Sequence, residues 1–141
     1  MYSDKFNLLI GFVIDHEGRE YENDPFDPGG ETKYGISKKS YPNENIAGLT
    51  EDRAKEIYYN DYWLPMNCDN YNIKEALAIF DSSVNCGTDT VKQWLGVNVV
   101  YTDILFKRLR RYANLCQKNE KLNRYLLGWL IRVLHIVELN I

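Results

Sequence analysis

The sequence predicts a mostly α-helical fold, a bundle of about six helices with one functional loop after the first of them. Two observations carry this reading. Apolar residues recur at helical spacing in nearly every long segment, and turn-forming residues concentrate in one stretch, Arg19–Tyr34. The chain has 141 residues, 45% hydrophobic and 26% charged, which suits one globular domain.

The first helix runs from about Asp4 to His16, because Phe6, Leu9, Ile10, Val13 and Ile14 share a face. Gly18 suits its C-terminus, leaving Glu17 where helix turns into loop. The loop holds Asn23, Asp24, Pro25, Asp27, Pro28, Gly29 and Gly30, with Tyr34, Gly35 and Ile36 as a short extended end. Thr50 caps a second helix, with Glu51 and Asp52 in its first turn. Ala54, Ile57, Tyr58, Asp61 and Tyr62 follow on one face, and Pro65 stops it. A third helix covers about Lys74 to Asn85, with Ile73, Leu77, Phe80 and Val84 as its buried stripe, and Gly87 ends it. A short helix over Thr88–Leu95 comes next, then one around Thr102–Gln117 and a last one over about Glu120–Glu138. The last carries Leu122, Leu126, Trp129, Leu130 and Val133 in phase.

Several function classes are disfavoured. A formal net charge of −3 and a pI near 5.4 weigh against nucleic acid as partner. Lys107, Arg108, Arg110 and Arg111 do cluster, and read as the solvated face of a helix. Cys68, Cys86 and Cys116 form no CxxC pair and lie far from His16 and His135, so neither a zinc site nor any other metal or cofactor is expected. An odd cysteine count points to free thiols and synthesis in a reducing compartment. The apolar stretch Leu8–Ile14 leads into Asp15, His16 and Glu17 rather than a cleavage site, so the expected product is a cytoplasmic chain without a signal peptide. Tyr125–Val137 is too short for stable membrane insertion.

Glu17 is the candidate for chemistry. Glycosidic cleavage needs a carboxylic acid that protonates the leaving oxygen, and a second polar group that positions water or stabilises positive charge. A carboxyl at the end of an apolar helix tends to be desolvated, which raises its pKa toward the working pH. Asp24, Asp27 and Thr32 follow in the loop. Spacing alone also allows ordinary surface charges around a plain turn. A calcium loop of Asn23, Asp24, Asp27 and Glu31 does not fit EF-hand spacing. His16, beside the acid, reads as an exposed histidine. Tyr34, Tyr58, Tyr62, Trp63 and Trp129 are candidates to stack on sugar rings, although most of the 11 tyrosines must be structural and Trp129 reads as core. Asp81 and Asn85, one helical turn apart, read either as a buried polar pair capping neighbouring backbone or, for Asn85, as a hydrogen-bond partner of an acetamido group.

The segment His16–Ser37, HEGREYENDPFDPGGETKYGIS, closely resembles the signature of glycoside hydrolase family 108, whose members are N-acetylmuramidases, among them TtsA-like secretion activators and phage endolysins. The matching residues are Glu17, Gly18, Tyr21, Asn23, Asp24, Pro25, Asp27, Pro28, Gly29, Gly30, Thr32, Tyr34, Gly35 and Ile36. Arg19 stands in place of a second glycine, and Glu20 adds one residue before Tyr21. Further matches follow at Tyr58–Pro65 (YYNDYWLP), Ala78–Gly87 (AIFDSSVNCG) and Arg124–Val133 (RYLLGWLIRV). The resemblance implies a lysozyme-like helical bundle and a peptidoglycan hydrolase that cleaves the bond between N-acetylmuramic acid and N-acetylglucosamine. It implies Glu17 as proton donor. An analogy with phage-type lysozymes adds Asp27 and Thr32 as the water-positioning or charge-stabilising pair. Tyr21, Tyr34, Asp24 and Asn85 are the expected substrate contacts.

The resemblance also implies one muramidase domain over 1–141, with a catalytic lobe at 1–90 and C-terminal helices at 91–141. The family's Gly-rich wall-binding segment is missing, since Leu95, Gly96 and Val97 run into Asn98, Val99, Val100 and Tyr101. The expected partner is the peptidoglycan glycan strand, met by a monomer released through a holin or a similar route to act in the periplasm or cell wall. A lytic transglycosylase using the same Glu17, and a non-catalytic wall-binding secretion helper, are the alternatives.

Overall fold

In the computed structural model, which describes residues 1–141, six α-helices and a small sheet are divided between two units, Met1–Asp61 and Tyr62–Ile141. The mostly helical, lysozyme-like expectation holds.

In the first unit, α1 spans Asp4–Glu17, and Phe6, Leu9, Ile10, Val13 and Ile14 are its buried face, as the spacing requires. Ser3 caps it by accepting from the Phe6 amide at 3.2 Å. Gly18, at φ 97°, closes it by donating its amide hydrogen to the Ile14 carbonyl at 2.9 Å. Glu17 is therefore the last residue of the helix.

The stretch read as loop is more ordered than expected. With the segment after it, it forms an antiparallel sheet of β1 (Glu22–Asn23), β2 (Glu31–Lys33) and β3 (Ile36–Ser37), in the order β1-β2-β3; of the expected extended end only Ile36 is strand, Tyr34 and Gly35 lying in the turn between β2 and β3. Strands of two or three residues are too short to show a period of two, so only backbone pairing reveals them.

Helix α2, Glu51–Tyr58, begins at the Thr50 cap, whose hydroxyl accepts from the Arg53 amide at 3.1 Å. It does not continue to Pro65. After Tyr58 the chain widens into a π-helical turn, Tyr59–Trp63. Each later residue is thereby rotated, and the face extrapolated through Asp61 and Tyr62 fails: Asp61 is exposed and accepts from the Tyr41 hydroxyl at 2.7 Å.

The second unit is built around α3, Ile73–Cys86. Of the stripe expected on this helix, Leu77 and Phe80 are buried, whereas Ile73 and Val84 near its ends are only half-buried. Every residue from Ala76 to Ser83 is buried, so α3 is enclosed on all sides rather than amphipathic. Helices α4 (Thr88–Trp94), α5 (Tyr101–Lys118) and α6 (Asn123–Glu138) surround it. A 3₁₀ turn, Glu120–Leu122, takes up the first residues expected for α6. On α6 the buried residues are Arg132, Val133 and Ile136, while Leu126, Trp129 and Leu130 are half-buried. The Trp129 ring stacks on Tyr112 at 4.7 Å, a packing role.

Asp81 lies at the centre of this unit with no exposure. The Arg132 Nη2 donates to its Oδ1 at 2.8 Å, and Arg108 Nη1 donates to its Oδ2 at 2.8 Å. Arg108 also donates to Ser82 Oγ at 3.1 Å and to the Tyr112 hydroxyl at 2.6 Å. That hydroxyl donates to Asn85 Oδ1 at 2.5 Å. One nitrogen of the guanidinium, Nη2 of Arg108, is buried without a partner. Burial alone would push the Asp81 carboxyl up, but the two guanidiniums outweigh it and hold the group below the usual aspartate range.

Asp81→Asn would leave two buried guanidiniums facing a neutral amide. The expected loss is about 3–5 kcal/mol, the usual cost of removing one partner of a buried ion pair, read as a lower denaturant midpoint. A midpoint within about 0.5 kcal/mol of wild type would show that the cluster is dispensable. The sign with pH follows from the depressed value. The contribution of Asp81 is fully present above the ordinary aspartate pKa of about 3.9 and is lost as pH falls through its lower folded value. Acid melts should show this loss in wild type, with a shallower dependence in Asp81→Asn.

Candidate active site

Glu17 sits half-buried at the C-terminal end of α1, one residue before the Gly18 reversal. What stands beside it is the tip of the β2–β3 hairpin. The register pairs Lys33 with Ile36, so Tyr34 and Gly35 form a two-residue turn. Both have positive φ, 52° and 77°, as the I′ hairpin geometry demands. Gly35 is also required by space. A Cβ built there would lie 2.6 Å from Glu17 Cβ and 3.0 Å from Glu17 Cγ, and would collide with the Tyr58 hydroxyl. Backbone thus approaches the stem of the acid where no side chain fits. The Tyr58 hydroxyl donates to the Tyr34 carbonyl at 2.7 Å and fixes the turn from beneath.

This geometry gives Tyr58 a structural task. It is 1% exposed, and Trp63, with its indole nitrogen on Asp69 at 3.0 Å, is wholly buried. Neither is placed to stack on a sugar. Tyr34 remains half-buried, with the Lys33 ammonium 5.6 Å from its ring centre. His16 is half-buried rather than exposed, its ring tilted against Phe12 at 4.5 Å.

The loop carboxylates are engaged locally. Asp24 Oδ1 accepts from the Phe26 amide at 2.9 Å, and Asp27 Oδ1 accepts from the Gly29 amide at 2.8 Å. Each is an Asx turn in an exposed stretch, and Gly30 closes the second by donating to the Asp27 carbonyl at 3.0 Å. Thr32 occupies the middle strand, paired with Glu22 on one side and Ser37 on the other. Directly paired residues share a face, so Glu22, Thr32 and Ser37 form one polar row. The opposite face carries Asn23, Glu31, Lys33 and the buried Ile36. Tyr21 donates to Glu31 Oε1 at 2.6 Å, and this carboxylate holds the phenol above its usual range.

Arg19, which departs from the family pattern, bridges two helices of the first unit. It pairs with Asp15 on α1 at 2.8 Å and with Glu51 on α2 at 2.9 Å, tying down the turn that follows the acid. Asn85 belongs to the second unit. It is half-buried near the end of α3, and its partner is the Tyr112 hydroxyl rather than the backbone expected of a cap. Glu22 was not singled out by the sequence; Gly35 entered only as a motif match and Tyr58 only as a sugar platform, not as the residues that build the hairpin tip. The Tyr-Gly dipeptide, a hairpin-turn signal, was the available clue for Gly35.

Residues 10–87 match the family model described as Glycosyl hydrolase 108, a span that holds Glu17, the whole sheet and α3. No curated protein matches this chain. Among solved structures, SagA of Brucella abortus superposes with a TM-score of 0.71 over 93% of this chain and 90% of that one, at 21% identity, a likeness of fold. With more than half its length matched, the chain belongs to the glycosyl hydrolase 108 family and is a glycoside hydrolase of the peptidoglycan-cleaving kind.

Proposed function

We propose that this protein is an N-acetylmuramidase that hydrolyses the bond between N-acetylmuramic acid and N-acetylglucosamine in peptidoglycan strands, with Glu17 as general acid. The observation that supports it is the close approach of the Gly35 backbone to Glu17, which holds the only helix-end acid of the signature against a rigid hairpin turn. In the reaction, the protonated Glu17 gives its proton to the glycosidic oxygen as the bond to the anomeric carbon breaks. Positive charge grows on the sugar ring. A water molecule adds to that carbon and releases a proton, so one water is consumed per bond cleaved. Thr32, with Asp27, is proposed to position that water or stabilise the charge. Tyr34, Tyr21, Asp24 and Asn85 are proposed to contact the sugars. Asn85 suits an acetamido group, because its Nδ2 makes no hydrogen bond within the chain.

Glu17→Gln keeps size and polarity but cannot donate a proton. The expected result is a loss of sacculus clearing by about a hundredfold to ten-thousandfold, with an unchanged melting temperature. Wild-type clearing by this variant would overturn the assignment. Mass spectrometry of the products should show hydrated reducing ends; products lighter by one water would mean transglycosylation instead.

Asp24→Asn and Asp27→Asn both keep the Oδ1 acceptor of their turns, so they isolate the charge. Asp27→Asn and Thr32→Ala should each lower the rate by less than Glu17→Gln, and Asp24→Asn least of all. A dead Asp24→Asn beside an active Asp27→Asn would show that the wrong loop carboxylate had been chosen.

Gly35→Ala places a methyl against the stem of Glu17 and strains a left-handed turn. It should cost about 1–3 kcal/mol of stability and depress turnover more than substrate binding. Unchanged turnover would show that the hairpin tip does not position the acid.

A further inference from the structure

Of the basic run on α5 read as a solvated face, Arg108 is instead wholly buried against Asp81, and the remaining cations have no part in the chemistry above. Lys107, Arg110, Arg111 and Lys118 line one side of a cavity of about 530 Å³, with Trp94 of α4 and Asn114 also on its wall. No Asp or Glu lines it. None of Arg110, Arg111 and Lys118 has a carboxylate partner, although the chain as a whole carries 20 acidic and 17 basic residues. Lys107 donates to the Trp94 carbonyl at 2.9 Å and links the two walls. The volume lies within the range of about 300–1,000 Å³ usual for ligand sites.

We infer that this groove binds a phosphodiester-bearing wall polymer, of the polyol-phosphate kind, as a site separate from bond cleavage. The inference rests on the proposed peptidoglycan hydrolase only in placing the protein at the wall. Four cations at positions 107, 110, 111 and 118 follow one face of α5 along about 16 Å, at 1.5 Å per residue. A single small anion cannot reach both ends, whereas an extended polyanion meets them in turn. Two neighbouring guanidiniums favour phosphate, whose oxygens they can engage in a fork. The groove is concave between two helices, so a flat bilayer would touch its rims and miss its floor. A nucleic acid would call for several aromatic platforms, and Trp94 is the sole aromatic on the wall.

The test measures binding of the full chain to fluorescent poly(glycerol phosphate) by anisotropy. Inorganic phosphate, single-stranded DNA of matched charge and phosphatidylglycerol vesicles are the other arms. The polymer should bind, with an affinity that falls as salt rises. Arg110→Gln/Lys118→Gln, two exposed changes that keep helix-forming residues, should weaken it at least about tenfold with an unchanged circular dichroism spectrum. Lack of polymer binding, equal binding by the double variant, or equal or tighter binding of DNA or vesicles would each overturn the proposal. Binding of inorganic phosphate as tight as the polymer would overturn the extended site. On sacculi stripped of such polymers the double variant should clear like wild type. Failure of wild type to clear them would count against the proposed hydrolysis and leave the polymer result standing.

Discussion

The Asp81 carboxylate is the interaction on which the second unit depends. Two guanidiniums from two other helices converge on this α3 residue: Arg108 from α5 and Arg132 from α6. Buried ion clusters repay their desolvation only when geometry is good, so this one is not a large net source of stability. Its effect is positional. The Asp81–Arg108 contact and the Asn85–Tyr112 contact lie one helical turn apart on both helices, and Arg108 joins them by donating to Tyr112. A slip of α5 along α3 by one residue would break both rungs and strand charge out of water. The apolar residues around them, Leu77, Ile79, Phe80, Leu105 and Ile136, would tolerate such a slip far better.

The first unit uses a different device. No buried charge organises it. The end of α1, the sheet and α2 meet through backbone, where Gly35 admits the stem of Glu17 and the Tyr58 hydroxyl takes up the Tyr34 carbonyl. That carbonyl belongs to a residue held at positive φ, a conformation that costs a non-glycine residue free energy and is retained because the hydrogen bond and hairpin register over-determine it. The close approach of the Gly35 backbone fixes where the stem of Glu17 leaves the helix end.

Much of this was legible in the residues. The α1 stripe of Phe6, Leu9, Ile10, Val13 and Ile14, the caps at Gly18 and Thr50, and the end of α3 at Gly87 follow from spacing and cap chemistry. Three features were not. The strands are too short for periodicity. The π-helical turn at Tyr59–Trp63 preserves local composition while shifting phase. The enclosure of α3 depends on what surrounds it, because its small Ala76, Ala78, Ser82 and Ser83 read as a polar or neutral face until other helices close over them. At the site, the motif gathered candidate residues but did not show what surrounds each of them. Tyr58 and Trp63 looked like sugar platforms by residue type, and burial removes both.

The arrangement of carboxylates in the hairpin separates two demands that the motif runs together. Asp24 and Asp27 each spend one oxygen on an amide two residues ahead, so turn geometry already asks for these residues in the Asn-Asp-Pro and Asp-Pro-Gly-Gly patterns. Glu31 is bound to Tyr21 on the face that carries buried Ile36. Glu22 differs. It lies directly across from Thr32, on the polar face, and its carboxylate is in none of the side-chain hydrogen bonds or ion pairs of the sheet. Thr32 therefore stands in the middle of the polar row of the sheet, and Asp27 Oδ1 shapes the turn that leads into β2.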